Sequence, residues 1–142
     1  MGRTKGGTNT KIHAVVDEAA NPIRLFITPG CDADVIHAET LVAAMPGQEL
    51  VADKGYDSDA FREHLHARAV RACIPPRSNR KHPQPYSRAS YRKRHLVENF
   101  FERVKNFRRV ATRYDKLAVT FLGFVCLAAS IILLKSGFTN KP

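Results

Sequence analysis

Four residues suited to contact a charged ligand recur along one stretch of the sequence. Drawn as a helix of about 100° per residue, Tyr91, Arg94, Glu98 and Lys105 fall within about 60° of one another. Arg offers a bidentate fork to a phosphate, Lys a point charge, and Tyr a hydroxyl or a stacking ring. A solvated face with weak ion pairs explains the same pattern. Glu102 lies within about 40° of Glu98, so geometry alone leaves both carboxylates open.

A second candidate carboxylate follows a short apolar run. Residues 49–52 (ELVA) predict a strand, and Asp53 stands at its carboxyl end, before Lys54-Gly55. Ligands of open α/β sheets bind beyond the carboxyl ends of strands, so Asp53 is a candidate site residue. An Asp that only initiates a turn is the alternative. Asp57 and Asp59 are competitors, which we interpret instead as first-turn helix residues.

The elements that must position these residues alternate between strands and helices. Apolar runs predict strands at residues 11–17, 23–28, 49–52 and 70–74, of which the first two form a hairpin. Helical periodicity follows at residues 34–44, 58–68 and 91–105, and an apolar helix begins after Tyr114. The predicted order is β-β-α-β-α-β-α-α, an α/β fold. Residues 75–88 predict a proline-rich loop of low order.

Positive charge is concentrated in one part of the 142-residue chain. The net charge is +10, and residues 62–116 hold 16 Lys or Arg against 4 Asp or Glu. Clustered cations favour a polyanion such as nucleic acid. Arg108, Arg109 and Arg113 extend the predicted track for the DNA backbone. We predict a mobile basic arm at residues 1–10, one domain at residues 11–135 and a tail at residues 136–142.

The spacing of Tyr91, Arg94, Glu98 and Lys105 resembles the Tyr-Arg-Glu-Lys signature of DDE transposases from bacterial insertion sequences of groups four and five. Residues 2–30, 33–42, 50–58 (LVADKGYDS) and 106–117 resemble further segments of that family. The resemblance implies a ribonuclease-H-like fold, catalytic and metal-binding roles for Asp53 and Glu98, and contacts of Tyr91, Arg94 and Lys105 with double-stranded DNA at transposon ends. It also implies two Mg²⁺ ions in the complete enzyme and a bacterial cytoplasmic location.

One part of the family pattern is absent from this sequence. The family has a first catalytic Asp on a strand before the hairpin, but here no Asp or Glu precedes Asp17. We therefore expect a catalytic domain truncated at its N-terminus, with weak metal binding and no transposition by this polypeptide alone. It would be a downstream reading frame or a truncated copy, and it could associate with an upstream-frame product or with itself.

Two alternatives to a transposase remain. The basic block alone would suit a non-catalytic DNA-binding or regulatory protein. Residues 117–134 contain 18 uncharged residues, near the lower limit for a membrane span, which would suit a membrane-anchored basic protein. An α/β sheet needs an apolar helix to cover it, so we expect no stable membrane partner.

Overall fold

The computed structural model describes residues 2–4, 7–43, 45 and 47–139, and the chain forms two compact units. Unit 1 contains residues 1–32 and 96–142, and unit 2 contains residues 33–95. The architecture is mixed α/β, as predicted, with one small sheet in each unit. The strands are β1 (Gly2–Thr4), β2 (Gly7–Val16), β3 (Pro22–Pro29), β4 (Glu49–Val51) and β5 (Arg71–Cys73). The helices are α1 (Ala38–Val42), α2 (Asp59–Ala67), α3 (Arg88–Tyr91), α4 (His95–Lys105), α5 (Arg108–Ala111) and α6 (Ala118–Thr139).

Unit 1 is built on the predicted hairpin. β2 pairs antiparallel with β3 from Thr10↔Pro29 to Val16↔Pro22, and its first residues pair with β1. The Asp17 carboxylate closes the hairpin turn by accepting the backbone N–H groups of Ala19 and Asn21, each at 2.9 Å. Asp favours such turns because its short side chain can reach backbone amides two or more residues ahead.

One face of this hairpin covers a helical core. Alternate strand residues, among them Ile12, Ala14 and Leu25, pack against a buried cluster from α4, α5 and α6. The alternation follows from the period of two in a strand. The buried cluster consists of Phe100, Val104, Val110, Phe121, Val125, Ala128, Ala129 and Ile132. The burial of these residues fixes which face of α4 turns away from the core.

Unit 2 is a crossover between two parallel strands. β4 pairs with β5 in the register Glu49↔Arg71 to Val51↔Cys73, and α2 connects them. The Ser58 hydroxyl caps α2 by accepting the Phe61 backbone N–H at 3.1 Å, whereas the sequence alone leaves the cap open between Asp57 and Ser58. Phe61 and Leu65 on α2 pack with Ala38, Val42 and Ile74 in a second buried cluster.

Several element boundaries differ from those predicted. β1 and the first residues of β2 occupy most of the predicted arm at residues 1–10, which therefore belongs to the sheet of unit 1. Met1, Lys5 and Gly6 lie outside the described residues, and the mobility of the arm stays a prediction. α6 runs to Thr139 and so includes the start of the predicted tail, whose last three residues lie outside the described part. The short helix α5 was not predicted.

The prediction of one continuous α-helix over residues 91–105 is wrong. A 3₁₀ turn at Arg92–Arg94 separates α3 from α4. Residues 92–95 are all polar, so nothing apolar between Tyr91 and Leu96 holds this part of the chain in a regular helix against a core. A 3₁₀ turn advances about 120° per residue, which shifts Tyr91 and Arg94 from the angles drawn for a uniform helix.

Candidate active site

Asp53 lies where the sequence places it, directly after β4. Ala52 continues the strand by donating its backbone N–H to the Cys73 carbonyl at 3.2 Å, and a 3₁₀ turn, Lys54–Tyr56, follows Asp53. Asp53 Oδ1 accepts the Gly55 backbone N–H at 2.7 Å. The turn-forming role is therefore observed. It occupies one carboxylate oxygen in a residue that is only half-buried.

Gly55 is needed at this turn because two carboxylates approach its Cα. A Cβ at position 55 would lie 2.8 Å from Asp53 Oδ1 and 3.2 Å from Asp34 Oδ2. The sequence places Asp34 at the start of a predicted helix over residues 34–44. In the structure a 3₁₀ turn occupies Asp34–His37, and the Asp34 carboxylate lies beside the Asp53 turn. Burial, together with the negative charges of Asp34 and Asp53, raises the pKa of Tyr56 far above its usual value, so this phenol stays protonated.

Arg94 is the predicted site residue that unit 2 brings to Asp53. Its Nη2 lies 3.9 Å from Asp53 Oδ2, and both side chains are more than a third exposed. At that distance and exposure the pair contributes little to stability, and it places a cation beside the second Asp53 oxygen. Tyr91 is half-buried, and its ring meets that of Tyr86 edge-on, with 5.5 Å between the ring centroids.

Glu98 lies in the first turn of α4, which belongs to unit 1 from Leu96 onwards. Glu98, Glu102 and Lys105 are exposed, whereas Phe100 and Val104 on the same helix are buried. The helix α4 is therefore amphipathic, with these charged residues on the face that points away from the core. Exposure alone does not separate Glu98 from Glu102, so the choice between them stays a prediction.

Two of the three arginines predicted to extend the DNA track make contacts within unit 1. Arg109 Nη2 lies 3.1 Å from Asp115 Oδ1, and its guanidinium stacks over the Phe124 ring at 4.1 Å from the centroid. Arg113 bonds the Asp115 carbonyl at 2.9 Å and the hydroxyl of Thr10. Its guanidinium also lies 5.0 Å from the centroid of a buried Phe ring. Phosphate contact stays a prediction for both, and the geometry gives Arg113 a structural role. Arg108 is exposed.

Asp57 is a residue whose role the sequence analysis missed. We interpreted it as a first-turn residue of a helix, but it lies before α2 and is 3% exposed. Its carboxylate accepts hydrogen bonds from Arg62, Arg77 and Arg80. The only sequence signal is an Asp followed by several arginines in the next 25 residues, which does not identify the partners.

The described side chains contain no group of three or more His, Cys, Asp or Glu that could hold a metal ion. Asp53 and Glu98 are nevertheless suitable ligands individually. Each offers a hard carboxylate oxygen, the donor that Mg²⁺ prefers, and neither residue is buried. The donors thus fit the metal chemically, as contributors to a site rather than as a complete one.

Comparison with known proteins identifies the family. A family model described as "Transposase DDE domain" matches residues 50–135, more than half of the chain. A Brucella ovis protein named as a candidate transposase for the insertion sequence element IS6501 is 37% identical over 131 residues, which cover 89% of this chain and 98% of that protein. No solved structure matches. The chain therefore belongs to the DDE transposases of insertion sequences.

Proposed function

We propose that Asp53 and Glu98 are the catalytic carboxylates that this chain contributes to DNA cleavage and strand transfer at transposon ends. The position of Asp53 carries the proposal. It follows the carboxyl end of a parallel strand, it is held by the Gly55 amide, and a cation of the signature lies 3.9 Å from its second oxygen. The position of Glu98 on the exposed face of α4 supports its role.

Members of this family generally use divalent metal ions such as Mg²⁺. When bound, such ions activate the attacking oxygen and stabilise the leaving oxygen of a phosphodiester. Asp53 and Glu98 would each hold metal through carboxylate oxygens. The Gly55 amide donates to Asp53 Oδ1 and so fixes the orientation of that carboxylate, leaving Oδ2 for another ligand. Arg94 would exchange its contact with Asp53 for one with a DNA phosphate.

The finer fold and the remaining carboxylate are also proposals. The β2–β3 hairpin and the β4–α2–β5 crossover are the kinds of parts from which a ribonuclease-H-like fold is built. A three-carboxylate site needs one Asp beyond Asp53 and Glu98, and no acidic residue precedes Asp17 in this sequence. An upstream reading frame is our hypothesis for its source, and a cytoplasmic location follows from the family.

The assignment is tested in the transposase expressed from an intact insertion sequence. Asp53→Asn and Glu98→Gln should each abolish Mg²⁺-dependent nicking of a transposon end while leaving DNA binding in place. Glu102→Gln is the matched control because it removes the same charge from the same exposed helix face. Nicking at the wild-type rate in either of the first two variants would refute the assignment.

A non-catalytic DNA-binding role is the second candidate. The basic block of residues 62–116 and the lack of a three-donor group among the described side chains favour it. Salt-dependent DNA binding that persists without any nicking in the intact element would support this role.

Membrane insertion has weaker support. Ala118–Gly137 is long and apolar enough to cross a membrane, but a core helix passes the same test. Phe121, Val125 and Ile132 of this helix are buried in the core of unit 1, whereas Val119, Leu127 and Leu134 on the same helix are exposed. Recovery of the refolded chain in the soluble fraction would exclude insertion.

A further inference from the structure

A long part of unit 2 carries positive charge without any acidic residue. Between Glu63 and Glu98 the sequence has nine Lys or Arg and no Asp or Glu. The loop of residues 75–87 lies within this region and has no helix or strand, and α3 follows it. Such a loop would repel itself unless carboxylates from elsewhere or bound anions balanced its charge.

Asp57 is a carboxylate of the same unit that balances part of the positive charge of the loop. Asp57 Oδ2 accepts the Arg77 backbone N–H at 2.9 Å, and Oδ1 accepts Arg62 Nε at 2.9 Å and Arg80 Nη1 at 3.1 Å. Burial raises the pKa of Asp57, but these hydrogen bonds and the charges of Arg62 and Arg80 outweigh burial and lower the pKa below its usual value. Asp57 therefore stays ionised and binds the loop to the start of α2.

The loop is also fixed at other points. The Arg77 guanidinium donates to the carbonyls of Lys54 and Gly55, at 3.1 and 2.6 Å, in the turn that follows Asp53. At the far end, Cys73 Sγ lies 3.3 Å from the Ser87 carbonyl, and Ser87 Oγ caps α3. Four prolines within residues 75–85 restrict the chain between these points. These contacts attach the loop at both ends, and the low order predicted for it stays a prediction.

Three cations of this region remain directed to solvent. Lys81, Arg88 and Arg92 are exposed, and none pairs with a carboxylate among the residues that the structure describes. Arg80, by contrast, forms ion pairs with Asp57 and Asp59. These three, together with Arg77, whose guanidinium bonds neutral carbonyl oxygens, carry uncompensated positive charge on the surface that the loop and α3 form.

We propose that Asp57 fixes residues 77–92 as a preformed surface for the phosphate backbone of DNA, with Lys81, Arg88 and Arg92 as the phosphate contacts. The proposal rests on DNA as the ligand of the proposed function and adds a surface outside the Tyr-Arg-Glu-Lys signature. Phosphate contacts give affinity without base sequence preference. Preorganisation by Asp57 removes the entropic cost of ordering the loop on the duplex.

The test measures the binding of the full chain to a duplex of arbitrary sequence as a function of salt. The slope of log K against log[salt] is negative, and each lost phosphate contact reduces its magnitude by about 0.9. The triple variant Lys81→Ala, Arg88→Ala, Arg92→Ala should therefore reduce the magnitude of the slope by about 2–3. The double variant Arg24→Ala, Lys135→Ala is the control, since it removes positive charge from unit 1, outside the basic block of residues 62–116. Its slope should change by less than about 1.

The role of Asp57 is measured separately. Asp57→Asn should lower DNA affinity about tenfold with little change in slope, because the contacts remain but the loop must now be ordered on binding. It should also speed hydrogen exchange of the Arg77 amide. Asp59→Asn is the control, because Asp59 makes only an exposed ion pair with Arg80. Arg77→Ala, which keeps the backbone bond to Asp57, should give a smaller loss of affinity in the same direction.

A wild-type slope in the triple variant would overturn the proposal, as would an equal effect per removed charge in the control variant or an absence of DNA binding by the chain. These outcomes differ from failure of the catalytic assignment. That assignment is refuted by wild-type nicking in the Asp53→Asn or Glu98→Gln variant or by loss of nicking in the Glu102→Gln variant alone, and none of the loop substitutions removes any of these carboxylates.

Discussion

Phe100→Ala should destabilise unit 1 more than any other single truncation on α4. Phe100 is fully buried and lies two residues after Glu98, so it connects the exposed carboxylate face of α4 to the core. Its ring belongs to the cluster in which Val104 of the same helix meets Phe121 and Val125 of α6. Removal of the ring leaves a cavity between two helices, neither of which can move inward without disturbing the other.

The expected cost is about 4 kcal/mol. A buried Phe removes about 200 Å² from water, which at about 25 cal/mol per Å² gives about 5 kcal/mol. That value is an upper bound, since the unfolded chain already covers part of its apolar surface. Measured Phe→Ala substitutions in cores cost about 3–5 kcal/mol, and a domain is stable by only about 5–15 kcal/mol. Phe100→Ala should therefore remove a large part of the free energy of unfolding of unit 1.

Denaturant unfolding followed by circular dichroism measures this loss. Phe101→Ala is the matched control, because Phe101 is the next residue and is half-buried, with its ring centroid 5.6 Å from that of Phe100. It should lose about half as much free energy of unfolding. A loss below about 1 kcal/mol for Phe100→Ala, or a larger loss for the control, would refute the packing described here.

Three further predictions concern single residues. Because the pKa of Asp57 is lowered in the folded protein, its ionised carboxylate stabilises the fold fully above its unfolded pKa of about 4, and this stabilisation is lost as the pH falls through the folded pKa. In urea unfolding measured from about pH 6 to pH 2, the midpoint of Asp57→Asn should therefore fall less steeply with acid than that of the wild type. Arg113→Ala should cost about 1–3 kcal/mol by loss of its hydrogen bonds and its stacking on Phe121, and unchanged denaturation midpoints would contradict this. Thr28→Val should cost about 1–2 kcal/mol, because buried His13 Nε2 loses its partner at 2.9 Å; thermal unfolding measures it, and an unchanged melting temperature would count against it.

Local patterns in the sequence predict the parts of the fold that depend on near neighbours. The Asn21-Pro22 turn signal between two apolar runs predicts the hairpin, and Asp57 or Ser58 before a periodic segment predicts the start of α2. The position of Asp53 at the end of β4 also follows from the order of an apolar run, an Asp and a Gly. In each case the decisive contact spans only a few residues.

Features that depend on distant residues could not be predicted in this way. Asp57 is buried because Arg77 and Arg80 reach it from 20 and 23 positions along the chain, and no local rule identifies such partners. Asp34 reaches the Asp53 turn through the packing of unit 2. The break at Arg92–Arg94 was missed for another reason. Periodicity assigns residues to faces, but it does not show where a face has nothing to pack against.

The central claim is that Asp53 and Glu98 are catalytic, and Mg²⁺-dependent nicking by the transposase of an intact insertion sequence tests it most directly. The account predicts that Asp53→Asn and Glu98→Gln each abolish nicking without loss of DNA binding, while Glu102→Gln nicks at the wild-type rate. Normal nicking in the Asp53 or Glu98 variant, or loss of nicking in the Glu102 variant alone, would contradict the account.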